Sequence, residues 1–487
     1  MVKQKIKDWK DLWVSKTDVV EFLRCGYRVY VSHITGIPIQ EMKDNRTLNA
    51  ILALGKKFEE EVVEEKGIKE LESLRELGQV KETEVVLKTP QLFKNNKLGI
   101  VGIPDLIDMS MGALYPVEIK LHNSVRKTDL IELGFYWRLL EPLRTKKSKP
   151  MGFVLLGTGE TKQVELPLDI LEMVDFYIQS VRDAKTNGAQ PSLSKECKSC
   201  TLAKECSDVL SKKGDLSLIY NLKAVRKQQF MQLGITNISD LTKTDAFFLH
   251  QDLVKRFGVS PGFDEIRRMQ AHGFSIIAKK PIFFGQRDRC GIFNKHKLII
   301  DLEYDPNSLI WLSGALVDDQ DGTNSVQFFS ENNTKANERK ILNSLRKFIS
   351  KYPKYPIMTY GAAADIPQLK KAWARHRFPD AELQAILERH YDINAFLRNG
   401  FRFPLHNMGL KDIGSYLGFK RRFDMDGLMA LIEYFEYLNT KKLGKKEAIK
   451  GRLLRYNLED LKCTQFVANQ VDNILNTCID ASEKTIS

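Results

Sequence analysis

The 487-residue chain predicts two α/β domains joined by a helical segment. Short β-rich runs bounded by turn residues recur over 82–121, helical spacing fills about 216–279, and alternating strands and helices return from about 281. The length points the same way, since a prior of about 150 residues per domain gives two or three. The divisions read from the sequence are 1–212, 213–280 and 281–487.

Ser15-Lys-Thr-Asp18 is a capping-box pattern ahead of an apolar run, which places Cys25 on or just after a short helix. A second helix is expected from about Thr47 to Lys66, carrying Gly55 and Glu59. Segments 82–89, 98–104 and 113–121 read as adjacent strands, and 127–143 as a helix. Met151 to Gly157 reads as a buried strand, and 168–184 as a further helix leading into a cysteine loop. In the middle segment, Leu233 to Leu241 resembles a helix-hairpin-helix turn of the kind that contacts sugar-phosphate backbones. Strands are then expected through Leu298–Glu303 and Leu309–Leu316. The Lys-rich stretch 441–455 is read as a solvated face.

The formal charge of +13 and the pI near 9.1 favour a polyanionic partner, with nucleic acid first, because each Lys or Arg on a phosphate releases a condensed counterion. The N-terminus has no apolar stretch followed by a small-residue cleavage site, and no apolar run approaches the roughly 20 residues of a spanning helix. These features predict a cytoplasmic protein without a membrane partner. In that setting the seven cysteines are expected as thiols or metal ligands rather than disulfides.

In Glu118-Ile-Lys120 the two charged side chains leave one face of a strand. Asp105, preceded by Gly102-Ile-Pro104, is placed on the neighbouring strand, with Glu59 supplied by a preceding helix. Three carboxylates hold one or two divalent cations, and a lysine beside them offsets phosphoryl charge. These residues resemble the RecB-like branch of the PD-(D/E)XK superfamily, whose restriction-endonuclease-like fold is then expected for 1–212. The first motif of the branch maps to Gly55–Glu59. Its glutamine-x-x-x-tyrosine helix maps to Glu132–Tyr136, with Tyr136 retained and glutamate in place of glutamine.

Cys197-Lys-Ser-Cys200, Cys206 and the distant Cys25 are similar to the iron-sulfur subset of that branch. The resemblance implies a structural [4Fe-4S] cluster on four thiolates, while the thiol spacing by itself is also compatible with zinc.

Further on, Asp301-Leu-Glu303 ends an apolar strand, Asp365 opens a helix after a small-residue turn, and Tyr456 and Asp460 lie four apart on one helical face. This ordered set resembles the DnaQ-like exonucleases of the RNase H superfamily, nearest the YprB-like group. The resemblance implies that Asp301, Glu303, Asp365 and Asp460 hold two metals, Mg2+ or Mn2+, and that Tyr456 orients the attacking water. Tyr360-Gly361 stands where the group has His-Asn, and Asp392 or Asp426 is an alternative to Asp365. Together the two resemblances imply a nuclease acting on DNA, from strand ends or on single strands, with two centres. The alternatives are an adaptor with one or both centres inactive and an RNA-processing exonuclease.

Overall fold

The computed structural model of the chain describes residues 12–42, 59–60, 62–64, 66–70, 86–88, 91–111, 113–144, 148–194, 196–197, 200–258, 261–284, 291–293, 296–423 and 425–480. Two compact units result, Met1–Leu210 and Ser211–Ser487, so the helical segment 213–280 belongs to the second.

In the first unit, β1 (Val14–Ser15) runs into α1 (Lys16–Thr35) through the expected capping box: Ser15 Oγ accepts from the Asp18 N–H, and Asp18 accepts from the Ser15 N–H. The helix is longer than the sequence implied. It continues past Cys25, whose φ of −163° and ψ of 101° kink it, and ends at Gly36 in the left-handed region.

Strands β2 (Lys69–Glu70), β3 (Val86–Lys88), β4 (Phe93–Asn95), β5 (Ile100–Gly102), β6 (Leu106–Asp108), β7 (Tyr115–Lys120), β8 (Met151–Leu156) and β9 (Thr161–Glu165) follow. Six of them form a mixed sheet in the order β2-β3-β6-β7-β8-β9. The expected adjacency of 82–89, 98–104 and 113–121 does not hold. The short β6, hidden behind Pro104, pairs with both β3 and β7, while β5 pairs with β1 and β4 in a separate small sheet.

The parallel strands β7 and β8 are joined through α2 (Lys127–Leu139), which is backed by α3 (Leu168–Asn187). Close approach explains two glycines: a Cβ on Gly134 would meet Val174 at 2.9 Å, and one on Gly152 would meet Leu133 and the Pro116 carbonyl at 2.9 Å. Of the helix expected over 47–66, Gly55 lies outside the described residues, while Glu59, Glu60 and 62–64 are helical.

A short helix α4 (Ala203–Lys213) leads to the second unit, which opens with α5 (Ala224–Gln232), α6 (Ile238–Lys243), α7 (Ala246–Phe257) and α8 (Phe263–Ala278). The hairpin-like segment from Leu233 supplies the turn between α5 and α6, with Gly234 at a φ of +83°. Strand β10 (Ile282–Phe283) lies in a small sheet apart.

The main sheet of this unit comprises β11 (Lys297–Tyr304), β12 (Ile310–Asp319), β13 (Gly322–Phe329), β14 (Ile357–Thr359) and β15 (His390–Asp392), in the order β13-β12-β11-β14-β15. The first three are antiparallel, and β14 and β15 add in parallel. The alternation of β11 sorts its side chains: Leu298, Ile300 and Leu302 enter one apolar core, while Ile299 enters the core built with Leu461 and Val467. Asp301 and Glu303 continue the Ile299 face.

The long helix Leu443–Asn469 covers that face with a buried stripe that includes Leu453, Tyr456, Asn457, Asp460, Leu461 and Val467. Gly314, paired with Asp301 in the sheet, makes this approach possible, since a Cβ there would overlap Asn457 and Leu461. Among the described residues no helix is long and apolar enough to cross a membrane.

Candidate active sites

Asp301, Glu303 and Asp460 converge: one carboxylate oxygen from each lies within 4.8 Å of the others. The strand supplies two of them by alternation, and the third comes from the inward stripe of the Leu443–Asn469 helix. Asn457, on the same stripe, donates from Nδ2 to Asp301 Oδ2 at 2.7 Å, and Gln327 Nε2 donates to Asn457 Oδ1 at 2.8 Å. The Tyr456 hydroxyl lies beside the Glu303 and Asp460 carboxylates, which act on it electrostatically. Arg421 reaches Asp460 Oδ1 with Nη2 at 2.6 Å.

Residues 298–471 match the family model of the RNase H superfamily. The match covers the five-stranded sheet from Leu298 onward and all four expected carboxylates. No curated protein matches the chain.

In this RNase H-like domain the acids carry more negative charge than their surroundings balance. Burial, then Asp460 and Asp365, push Asp301 well above the usual carboxylate range, and burial with Asp301 and Asp460 does the same to Glu303. Burial raises Asp460 even against the pull of Arg421. Asp365, in the first turn of the helix Ala362–His376, lies outside the 4.8 Å group yet near enough to act on Asp301 and Glu303; burial and Asp392 raise it to about 7. A cluster of hard oxygen donors with unbalanced charge fits a divalent cation such as Mg2+ or Mn2+.

The two alternatives to Asp365 are occupied as caps. Asp392 accepts from the Gly361 and Ala395 N–H groups at 3.0 and 3.2 Å, and Asp426 accepts from the Met429 N–H at 2.9 Å. Arg421 and Asn457 are additions that the sequence did not single out. Asn457 carried a spacing signal, next to Tyr456 and one helical turn before Asp460.

In the first unit Asp105, Glu118, Lys120, Glu132 and Tyr136 come together, and Lys16 joins them. Asp105 sits just before β6 and accepts the Ile119 N–H at 3.0 Å. Lys120 Nζ lies 2.6 Å from Glu118 and 2.8 Å from Glu132. Lys16 Nζ lies 3.2 Å from Glu118, 3.3 Å from Glu132 and 3.8 Å from Asp105, with the Tyr136 ring centroid at 5.0 Å. Tyr136 itself donates to the Ile103 carbonyl.

Burial and Glu118 raise Asp105 to about 7, whereas Lys16 and Lys120 override burial to lower Glu118 to about 2. Glu59 is paired with Lys88, on the strand beside β6, at 3.3 Å. Lys16 was legible only as the second residue of a capping box; the parallel pairing of Val14 with Ile100 is what brings it here.

Cys25 and the three loop cysteines lie within electrostatic reach of one another, but among the described residues their sulfurs do not form a group within 4.8 Å as the acids of the second unit do. Cys25 and Cys206 are both raised, first by burial, with the other thiols of the set adding to it; Cys206 reaches about 11. The Cys197 sulfur already accepts a backbone N–H bond, from Ser194 at 3.4 Å. All four are free thiols.

Proposed function

We propose that the chain is a metal-dependent nuclease whose principal centre is Asp301, Glu303, Asp365 and Asp460, acting on DNA from strand ends. The convergence of Asp301, Glu303 and Asp460 within 4.8 Å, inside the segment matching the RNase H superfamily, carries this reading. Divalent cations bound at these carboxylates supply activation of water and neutralisation of charge on the leaving oxygen. The chain's own residues orient that chemistry. Asn457, backed by Gln327, fixes the rotamer of Asp301; Tyr456 keeps its hydroxyl at the edge of the acid cluster, in position to hold a water; Arg421 secures Asp460.

The first unit is proposed as a RecB-like PD-(D/E)XK domain with a second centre at Asp105, Glu118 and Lys120, and with Cys25, Cys197, Cys200 and Cys206 as ligands of a structural [4Fe-4S] cluster. Support for the ligand set comes from Cys25, which the fold of α1 carries to within electrostatic reach of the loop thiols. One observation favours a reading in which the first centre binds without cutting: the Lys16 ammonium stands among the acids where a cation would sit.

End-labelled DNA and RNA, incubated with Mg2+ or Mn2+, test the proposal on wild type, Asp301→Asn, Glu118→Gln and the double variant. The principal-centre reading requires loss of cleavage in Asp301→Asn. Undiminished cleavage there refutes it, and preference for RNA refutes the substrate.

A further inference from the structure

Within the second unit a cleft of about 610 Å3 lies between α8 and the segment 395–408, a size typical of small-ligand sites. Three guanidiniums line it, from Arg268, Arg398 and Arg402. None has an ion-pair partner among the described residues; Asp264 and Glu265 also line the cleft without pairing to them. Instead the arginines rest on rings. Arg402 and Arg268 share Phe284, at 4.6 and 5.9 Å from its centroid, and Arg398 lies 5.3 Å from the centroid of Tyr220. Arg402 also donates to the Phe401 carbonyl at 2.8 Å, so its plane is set by backbone as well as ring.

The wall behind them is fixed too. His272 is buried, accepts the Tyr220 N–H on Nδ1 at 2.9 Å and meets the Leu405 carbonyl through Nε2 at 3.0 Å, which ties the two sides of the cleft together. Three like charges held in one concavity repel one another. Burial, then Arg268 and Arg398, accordingly lower Arg402 to about 10. An anion relieves that repulsion, and arginine forks match phosphate oxygens.

We propose that this cleft binds the phosphate of a nucleotide, borne by a strand terminus or by a free mononucleotide, at a site distinct from the acid cluster. The choice of a nucleotide among anions rests on the nuclease reading.

Binding of a labelled, 5′-phosphorylated single strand to the full chain, followed by fluorescence anisotropy in EDTA so that nothing is cleaved, tests it. The variant is Arg268→Ala with Arg398→Ala; both residues are exposed, and a thermal melt checks the fold. The expected result is competition by a deoxynucleoside 5′-monophosphate but not by the nucleoside, with at least tenfold weakening in the variant. The salt dependence should lose a slope of about one per arginine.

Weakening for the strand, with or without the mononucleotide, identifies the strand terminus as a source, and weakening for the mononucleotide alone identifies the free nucleotide. Unchanged binding of both overturns the proposal, as does equal weakening in Lys441→Ala with Lys442→Ala, which removes charge from an exposed face elsewhere. Cleavage with Mg2+ on the same preparations separates the two readings: an inactive wild type refutes the nuclease, while an active one with an indifferent cleft refutes only the phosphate site.

Discussion

Replacing Lys16 with Met removes the ammonium that touches Asp105, Glu118 and Glu132 at once, at 3.8, 3.2 and 3.3 Å. The methionine keeps the bulk of the stem, so the loss is charge. Lys120 remains against Glu118 and Glu132, and Asp105 keeps the Ile119 N–H. Breaking a buried pair by deleting one partner costs about 3–5 kcal/mol. In a unit of this size each kcal/mol moves the midpoint by about 2–4 °C, so the first unit should melt roughly 6–20 °C lower in EDTA. A divalent cation that replaces the ammonium restores part of this, and the variant should bind Mn2+ more tightly than wild type because it no longer has to displace Lys16. Differential scanning calorimetry with and without Mn2+, together with calorimetric titration, reads both effects. An unchanged midpoint in EDTA, or equal Mn2+ affinity in the two proteins, refutes the view that Lys16 balances this cluster.

The acids of the RNase H-like domain should behave as a unit: Asp301→Asn, Glu303→Gln and Asp460→Asn each cost nearly as much turnover as the triple variant, and additive losses measured by single-turnover kinetics would contradict this. Tyr456→Phe should lower turnover, about 10²-fold for a lost proton-handling group, while Mn2+ affinity measured by calorimetry stays as in wild type. Protein purified without oxygen should be brown with about four irons per chain, and a colourless protein with one zinc would refute the cluster. For Asp105 the folded value of about 7 lies above the ordinary value of 3.8, so between them the native state holds the extra proton; this group's contribution favours folding at acid pH and declines as pH rises from about 4 to 7. The melting midpoint of Asp105→Asn against wild type across that range should therefore show a growing advantage for the variant, and a constant difference would exclude the shift.

What the sequence disclosed, and what it did not, follows from the range of the forces involved. Asp301 and Glu303 share a face because a strand alternates, and Tyr456 and Asp460 share a face because a helix returns after four residues; both facts are local. Arg421 lies on neither element, and its pairing with Asp460 at 2.6 Å depends on where the chain between two helices comes to rest. Glu59 pairs with Lys88 at 3.3 Å, a contact that its motif spacing does not disclose. Lys16 is the fullest case, because its place is set by a parallel pairing of two short strands remote in the chain, which no local periodicity encodes. Its consequence is chemical: neighbouring carboxylates of one cluster give an acid near 7 and an acid near 2, since the two lysines both reach Glu118 while burial and Glu118 dominate at Asp105. A cation entering this site therefore meets one carboxylate already ionised and one that must release a proton, so its binding should strengthen as pH rises through about 7. Mn2+ titration of a variant with Asp301→Asn, Glu303→Gln, Asp365→Asn and Asp460→Asn, at pH values one unit below and one unit above that point, isolates the first unit's contribution, and equal affinity at the two would remove Asp105 from the ligand set.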